Sequence, residues 1–241
     1  MKHLLPVAAI ALLAGACHFG GKAETREAGP AVDRGYQVSA FDRIQVAGPY
    51  EVRVKTGGEP GVTAHGGEAI LAETEIVVDD GVLKIKPKKR NGFNWNFNND
   101  NQVRVDVTTA ALRGAAIAGS GDLNVDRVSG GDFSGEVAGS GNLGVERIEG
   151  GKVALAIAGS GNVRAAGKAD ALDVSIAGSG DVDAAALQAA TADVSIAGSG
   201  NVRAHATDTA DVSIMGSGDV ELTGGAKCNV NKHGSGDVRC S

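Results

Sequence analysis

Residues 173–180 read DVSIAGSG, and residues 193–200 repeat the same segment 20 positions later. The end of this segment, Gly-Ser-Gly followed by Asp or Asn, occurs seven times in the chain. Successive copies are 20, 20, 19, 20, 18 and 18 residues apart. A period near 20 residues is typical of a solenoid, in which each turn of chain stacks on the one before. The seven copies begin at Gly119, Gly139, Gly159, Gly178, Gly198, Gly216 and Gly234.

The residues beside each copy predict strands. Residues 172–177, LDVSIA, alternate apolar and polar side chains, as do the segments before Gly198 and Gly216. This period of two indicates a strand with one buried face. Apolar residues return four and six positions after the first glycine, so each coil is predicted as strand, tight turn, strand and looser return. We therefore predict an all-β fold, a two-sheet parallel β-helix of about 18–20 residues per coil with Gly-Ser-Gly turns.

Alternating apolar residues are also present before the repeats. Residues 41–57, 75–89 and 101–112 each carry such a pattern, and Asp80-Gly81 is typical of a hairpin turn. We predict one β-helix domain over 36–241. Residues 111–241 are its regular Gly-Ser-Gly repeats, and 36–110 are irregular strands that continue the solenoid or cap its N-terminal end.

Composition limits the core and the class of partner. The chain has 37 Gly and only eight aromatic residues, so the core must be built mainly from Val, Ile, Leu and Ala. The formal net charge of -6 argues against nucleic acid as a partner, because phosphate binding needs a basic surface. The sequence contains no nucleotide-binding fingerprint and no motif that pairs a nucleophile with a histidine. No cofactor is predicted.

The N-terminal segment resembles an export signal. Residues 1–16 combine Lys2, a short apolar run and a small-residue cleavage site, and Cys17 follows directly. In one interpretation the signal is cut before Cys17, which is then lipidated and is the only membrane contact. In the other, an ordinary secretory signal is cut at the same bond and Cys17 stays free. Residues 17–35 are predicted as the anchor cysteine and a flexible tether.

The opening strands and the repeated turns together resemble a known family. FDRIQVAGPYEVRVKTG (41–57), followed by seven spaced Gly-Ser-Gly-Asp/Asn turns, is similar to the autotransporter-adhesin head GIN domain family of bacterial envelope proteins. The resemblance covers about 36–241. It implies a two-sheet β-helix like that of pectin lyases without their catalytic residues, and a role in adhesion. It supplies no binding residues to carry over.

Two cysteines flank the last turn. Cys228 lies six residues before Gly234 and Cys240 lies six after it. Both occupy alternate positions that are apolar in the other coils, so both should point inward. In an oxidising compartment such a pair predicts a disulfide that closes the last coil, and the alternative is two buried thiols. Packed sheets lie about 10 Å apart, so we expect the coil to narrow there for the bond to form.

Two sets of outward charges lie on consecutive coils. Asp173, Asp193 and Asp211 occupy equivalent positions, where like charges repel. They could splay into water, bond nearby donors, or hold a divalent cation through oxygen ligands. The second set alternates in sign, which favours pairing along the stack, with a glycan-binding stripe as the alternative. It consists of Arg164, Asp183, Arg203, Glu221 and Arg239.

The segment FNWNF holds three of the eight aromatic residues. In a strand, Phe93, Trp95 and Phe97 would share one face, and Asn94 and Asn96 the other. One interpretation is a hydrophobic lid over the solenoid. The other is an exposed platform for a glycan or a protein partner, and this is the binding surface that the sequence favours.

These features predict a secreted, lipid-anchored module of a Gram-negative envelope, on its periplasmic or its cell-surface face, that binds or adheres without catalysis. The possible partners are a glycan or a surface protein, and the sequence leaves the oligomeric state open. The alternative is a periplasmic structural or envelope-stress protein without an external ligand. An enzyme acting on polysaccharide is the third interpretation, but the outward charges form ladders rather than one convergent cluster.

Overall fold

The alternating segments form stacked strands in the computed structural model, which describes residues 28–88 and 102–241. The only helix of the described residues, α1, is Glu68–Ala72. The strands in chain order are β1 (Ala31–Tyr36), β2 (Arg43–Ala47), β3 (Glu51–Thr56), β4 (Gly61–Gly67), β5 (Thr74–Asp79), β6 (Val82–Pro87), β7 (Arg104–Thr109), β8 (Gly114–Gly119), β9 (Asp122–Val125), β10 (Val128–Ser129), β11 (Phe133–Gly139), β12 (Asn142–Gly159), β13 (Asn162–Gly178), β14 (Val182–Gly198), β15 (Val202–Gly216), β16 (Val220–Thr223), β17 (Lys227–Gly234) and β18 (Val238–Cys240).

Parallel pairing between equivalent residues confirms the predicted β-helix, which has about six turns. The two copies of the repeated segment lie in register, with Val174 opposite Val194 and Ile176 opposite Ile196. The return of each coil is also paired, which the predicted loose connection did not include. Residues 188–189 of β14 pair with 205–206 of β15, between register shifts where the coil bends. Pairing therefore follows nearly the whole contour of each coil.

Both glycines of each regular corner lie close to the backbone of the coil below, and the first also needs an unusual backbone conformation. The first glycine has positive φ in all seven copies, 139° at Gly178 for example. Two glycines at a turn would permit positive φ at both, but the second glycine of the motif does not adopt it. A Cβ on Gly178 would lie 2.1 Å from the carbonyl oxygen of Gly159, and a Cβ on Gly180 would lie 2.0 Å from that of Gly161, both in the coil below. Close stacking of backbone on backbone excludes any side chain there.

The N-terminal part both continues the solenoid and caps it, and its layers do not follow chain order. Strands β2 and β3 stack in parallel on β8 and β9, the first regular coil. On their other side lie β6 and β7, which come later in the chain than β2 and β3. β5 and β6 form the predicted hairpin, with Asp80 and Gly81 both at positive φ. The layer formed by β2 and β3 is therefore enclosed on both sides.

Antiparallel strands cover the N-terminal end. β4 pairs with β7, and β1 pairs with β4. Helix α1 buries Ile70 and Leu71 against this end. The predicted boundary between tether and domain at residue 36 is therefore too late, since β1 begins at Ala31. The cause is weak alternation in AVDRGY, whose strand is held by its neighbour rather than by its own pattern.

The core is aliphatic, as composition predicts. Its buried residues are almost all Val, Ile, Leu and Ala, and the buried aromatics among the described residues are Phe41, Tyr50 and Phe133. Apolar positions after the corners are fully buried, for instance Leu123, Leu143 and Val182. Over 28–88 and 102–241, no helix has the length and apolarity needed to cross a membrane.

Candidate functional site

A ladder of Asp and Asn side chains follows the corners from coil to coil. Asn142 Nδ2 donates to Asp122 Oδ1 at 2.7 Å, and Asn162 Nδ2 donates to Asn142 Oδ1 at 2.9 Å. From Asn162 onward the side-chain oxygens accept backbone N–H groups of the next coil, as Asp181 Oδ1 does from Asn201 at 2.8 Å. Asp and Asn side chains at a turn often bond local backbone groups. Here they join neighbouring coils, and the corner ladder consists of Asp122, Asn142, Asn162, Asp181, Asn201, Asp219 and Asp237.

The alternating charges form a second ladder beside the first. Arg164 Nε lies 3.5 Å from Asp183 Oδ2, and Arg203 Nε lies 3.6 Å from Glu221 Oε2. These contacts confirm that opposite charges pair at two steps along the stack. The two ladders line a groove of about 320 Å³, the corner groove. Much of its polar surface is already engaged in contacts between coils.

A larger groove lies on the return side of the coils. It encloses about 870 Å³ and is lined by residues 146–150, 167–170, 186, 188–190 and 207, which belong to four consecutive coils. We call it the return groove. Register places Glu149, Lys168 and Gln188 side by side along the axis. Gly and Ala residues between these positions leave room above the backbone, so the groove is open along the axis of the solenoid.

Apart from one pair, the polar side chains that line the return groove are not engaged with one another. Arg147 Nε donates to Glu149 Oε1 at 2.7 Å. Within the described ranges, Glu146, Lys168, Asp170 and Gln188 are exposed and form no hydrogen bond or ion pair. They present an ammonium group, carboxylates and a primary amide, which together donate and accept hydrogen bonds. The return groove thus offers unpaired polar groups, whereas the corner groove offers paired ones.

The three stacked aspartates are flanked by donors. Lys152 Nζ lies 3.1 Å from Asp173 Oδ2, and Asn229 Nδ2 donates to Asp211 Oδ1 at 3.0 Å. Asp193 lies between the other two in register. The part of the chain that the structure describes contains no group of three or more His, Cys, Asp or Glu arranged to hold a metal ion. This geometry favours nearby donors over a cation as the means of offsetting the repulsion.

The last coil carries the predicted disulfide between Cys228 and Cys240. Their Cα atoms lie 6.6 Å apart, closer than packed sheets, so the coil narrows there as expected. Cys228 is only half-buried and Cys240 is exposed, although both occupy the inward parity. The reason is position, since no further coil covers this end within the described residues.

A histidine between two aspartates, which the sequence did not predict, links the antiparallel strands of the cap. His65 of β4 places Nδ1 2.7 Å from Asp33 Oδ1 of β1 and Nε2 2.9 Å from Asp106 Oδ2 of β7. Carboxylates only accept, so the imidazolium form satisfies both contacts. The two ring nitrogens point to opposite sides and cannot converge on a metal. The signal was undetectable in sequence, because the three residues belong to separate strands whose pairing was not predicted.

Two titrating side chains show displaced pKa values, and both lie outside the grooves. Burial raises the pKa of Tyr50 to about 12, partly offset by its hydroxyl contact with Thr74. A hydrogen bond from Lys84 lowers the pKa of Asp79. Tyr50 packs under the N-terminal cap and Asp79 lies at a hairpin turn, so neither shift marks a reactive site.

Several predicted sites fall outside the described residues. These are the signal peptide, Cys17, and the aromatic segment with Phe93, Asn94, Trp95, Asn96 and Phe97. They remain predictions. The return groove, by contrast, was not predicted at all, because its residues lie where the repeat is least regular.

Comparison with solved structures supports the fold. A "putative adhesin" from Bacteroides fragilis has a TM-score of 0.79 at 20% identity, covering 88% of this chain and 97% of that chain. A "putative lipid binding protein" from Parabacteroides distasonis has a TM-score of 0.72 at 24% identity, with the same coverage. A "putative adhesin" from Parabacteroides merdae has a TM-score of 0.69 at 20% identity, again with that coverage.

Comparison with curated proteins gives no match. A family profile does match over residues 40–226, most of the chain. Its description, "Putative auto-transporter adhesin, head GIN domain", agrees with the resemblance of the opening strands and the repeated turns. Neither this description nor those of the structural neighbours names an enzyme. The chain therefore belongs to the auto-transporter adhesin, head GIN domain family.

Proposed function

We propose that this protein is a secreted, lipid-anchored module of the cell envelope that binds a glycan chain in the return groove without transforming it. The observation that carries the proposal is the set of unpaired polar side chains in an open groove that crosses four coils. Family membership supports an adhesive role at the envelope. The leader and Cys17 support export and anchoring, although they lie outside the described residues.

The chemistry of the groove suits a polyhydroxyl ligand. Sugar hydroxyls both donate and accept hydrogen bonds. The Lys168 ammonium donates, the Asp170 carboxylate accepts, and the Gln188 amide does both. The small Gly and Ala residues of the floor leave room for a chain that runs along the axis. One structural neighbour is described as lipid binding. The charged and amide lining of the return groove favours a glycan over an acyl chain, because burying such groups against hydrocarbon is costly.

A panel of immobilised bacterial and host glycans tests the proposal. We expect the wild type to bind at least one glycan, and the double variant Lys168→Ala/Gln188→Ala to bind it about tenfold more weakly. That factor corresponds to the loss of two hydrogen bonds of about 0.5–1.5 kcal/mol each. Arg203→Ala, which removes an exposed charge from the corner groove, is the matched control and should bind like wild type. Binding that is equal in all three proteins would refute the groove as the site.

The second candidate is a periplasmic structural protein, favoured by the ladders in which outward side chains pair with each other. Protease treatment of intact cells, with a lysed-cell control, separates the two. Loss of the protein on intact cells supports a surface adhesin, and its survival until lysis supports the structural role.

A further inference from the structure

The C-terminal end of the solenoid differs from the N-terminal end in how it is finished. At the N-terminal end, β1, β4 and α1 cover the stack. At the C-terminal end, β17 pairs only with β15, and β18 only with β16, within the described part of the chain. Their outer edges are therefore open. Such edges are templates for pairing with a strand of another chain.

The inward-facing side chains of β17 are apolar like those of the coils below, except at one position. In β15 the inward-facing residues are Ala210, Val212 and Ile214, all buried. Register places Cys228, Val230 and Lys232 directly above them. The strands before the three preceding corners all carry Ile where β17 carries Lys232. A cation thus occupies the position that is otherwise among the most deeply buried of the coil.

The contacts of Lys232 keep its charge at the open end. Its Nζ donates to the carbonyl oxygen of Gly236 at 2.6 Å, across the last corner. The isoleucines of earlier coils lie under the second glycine of the next corner, as Ile196 does beneath Gly218. A coil placed on top of β17 would enclose the ammonium group in an aliphatic stack. The burial of an unpaired charge is costly, so Lys232 opposes such stacking.

We propose that Lys232, together with the Cys228–Cys240 disulfide, closes the C-terminal end against strand pairing with a second copy of the chain. The partner that this end would otherwise accept is another C-terminal end, since the N-terminal end of each copy is already covered. Two β17 strands could then pair antiparallel about a two-fold axis. Val230, which is 44% exposed, would lie in that contact. The disulfide joins β17 to β18 and so holds the guarded edge in place.

Restoring the repeat residue tests the inference. We expect Lys232→Ile, with the disulfide intact, to associate as concentration rises and to approach about twice the wild-type mass in sedimentation velocity. The matched control is Lys227→Ile, which makes the same change on the outward face of the same strand. Its mass should follow that of the wild type at every concentration.

A rescue variant keeps the test decisive. The double variant Lys232→Ile/Val230→Lys again has a charge on the inward face of β17, two residues earlier in the strand. We expect this variant to abolish the association. The proposal is overturned if Lys232→Ile keeps the wild-type mass throughout, or if Lys227→Ile associates equally. It is also overturned if Val230→Lys dissociates an assembly of the wild type, because the native end would then already be an interface.

Discussion

At the scale of single residues, the corner glycines set the distance between coils. The first glycine provides a backbone conformation that other residues rarely adopt, and both glycines allow a carbonyl oxygen of the neighbouring coil to approach. Serine between them is exposed and has no such constraint. The motif therefore meets two requirements, a positive φ and close stacking, and the first glycine meets both.

Gly180→Ala tests the requirement for close approach. Its Cβ would lie 2.0 Å from the Gly161 carbonyl oxygen, so the coils must separate locally. We expect a loss of more than about 1 kcal/mol in the free energy of unfolding, measured with urea. Ser179→Ala, in the same corner, should change stability by less than about 0.5 kcal/mol. Equal stability of the two variants would contradict the assignment.

The sequence predicted where the glycines lie but could not tell their roles apart. Both flank the same serine, and either could have carried positive φ. The close approach at both glycines depends on the coil below, whose position no local pattern contains. The same holds for the corner ladder, because Asn142 and Asp122 become neighbours only when the coils stack.

At the scale of elements, the N-terminal cap is held by side chains as well as by strand pairing. β1 is an edge strand with half of its residues exposed, and its pattern alone does not predict burial. His65 connects it through Asp33 to β4, and through Asp106 to β7. Three strands that are distant in sequence thereby share one polar contact.

His65→Ala should loosen β1 without unfolding the solenoid. Partly exposed ion pairs contribute about 0.2–1 kcal/mol, so we expect amide exchange in β1 to rise about two- to fivefold. Exchange in β13 and β14 should not change. His233→Ala, an exposed histidine of the last coil, is the control. Unaltered exchange in β1 would show that strand pairing alone holds it.

Elements were predictable where apolar and polar residues contrast. The strands before each corner, such as residues 172–177, were predicted and are present. The return was not, because AAALQAA at 184–190 gives little contrast between faces. The return groove lies on this stretch, so the sequence predicted neither the paired return strand nor the groove. The disulfide was predictable because both cysteines keep the parity of well-patterned strands.

At the scale of the whole molecule, the solenoid is close to one-dimensional, and each coil contacts only its neighbours. Stability in such proteins is approximately a sum over coils and interfaces, and the ends are the weakest parts. Among the residues that the structure describes, the last coil has one neighbouring coil and little buried surface of its own, since most of β17 is exposed. The disulfide compensates for this by linking its two strands.

Cys228→Ser/Cys240→Ser should therefore fray one end and leave the rest intact. A bridge across a loop of this length contributes on the order of 2–3 kcal/mol, and the loss should be confined to β17 and β18. Hydrogen exchange there should accelerate while β13 and β14 keep their protection. Under reducing conditions the wild type should match the variant. Uniform acceleration along the chain would contradict a local role.

The ladder of alternating charges favours a change of the solenoid by an even number of coils over a change by an odd number. Arg164, Asp183, Arg203 and Glu221 alternate on consecutive coils. Because residues 173–180 and 193–200 are identical, recombination between their coding repeats would remove one complete coil and keep the backbone in register. That shorter chain would place Arg203 against Arg164, two like charges at neighbouring strand positions. Removing residues 181–218, two coils, would bring Glu221 beside Arg164 and preserve the alternation. Growth and shrinkage of the stack by pairs of coils is therefore electrostatically favoured over single steps.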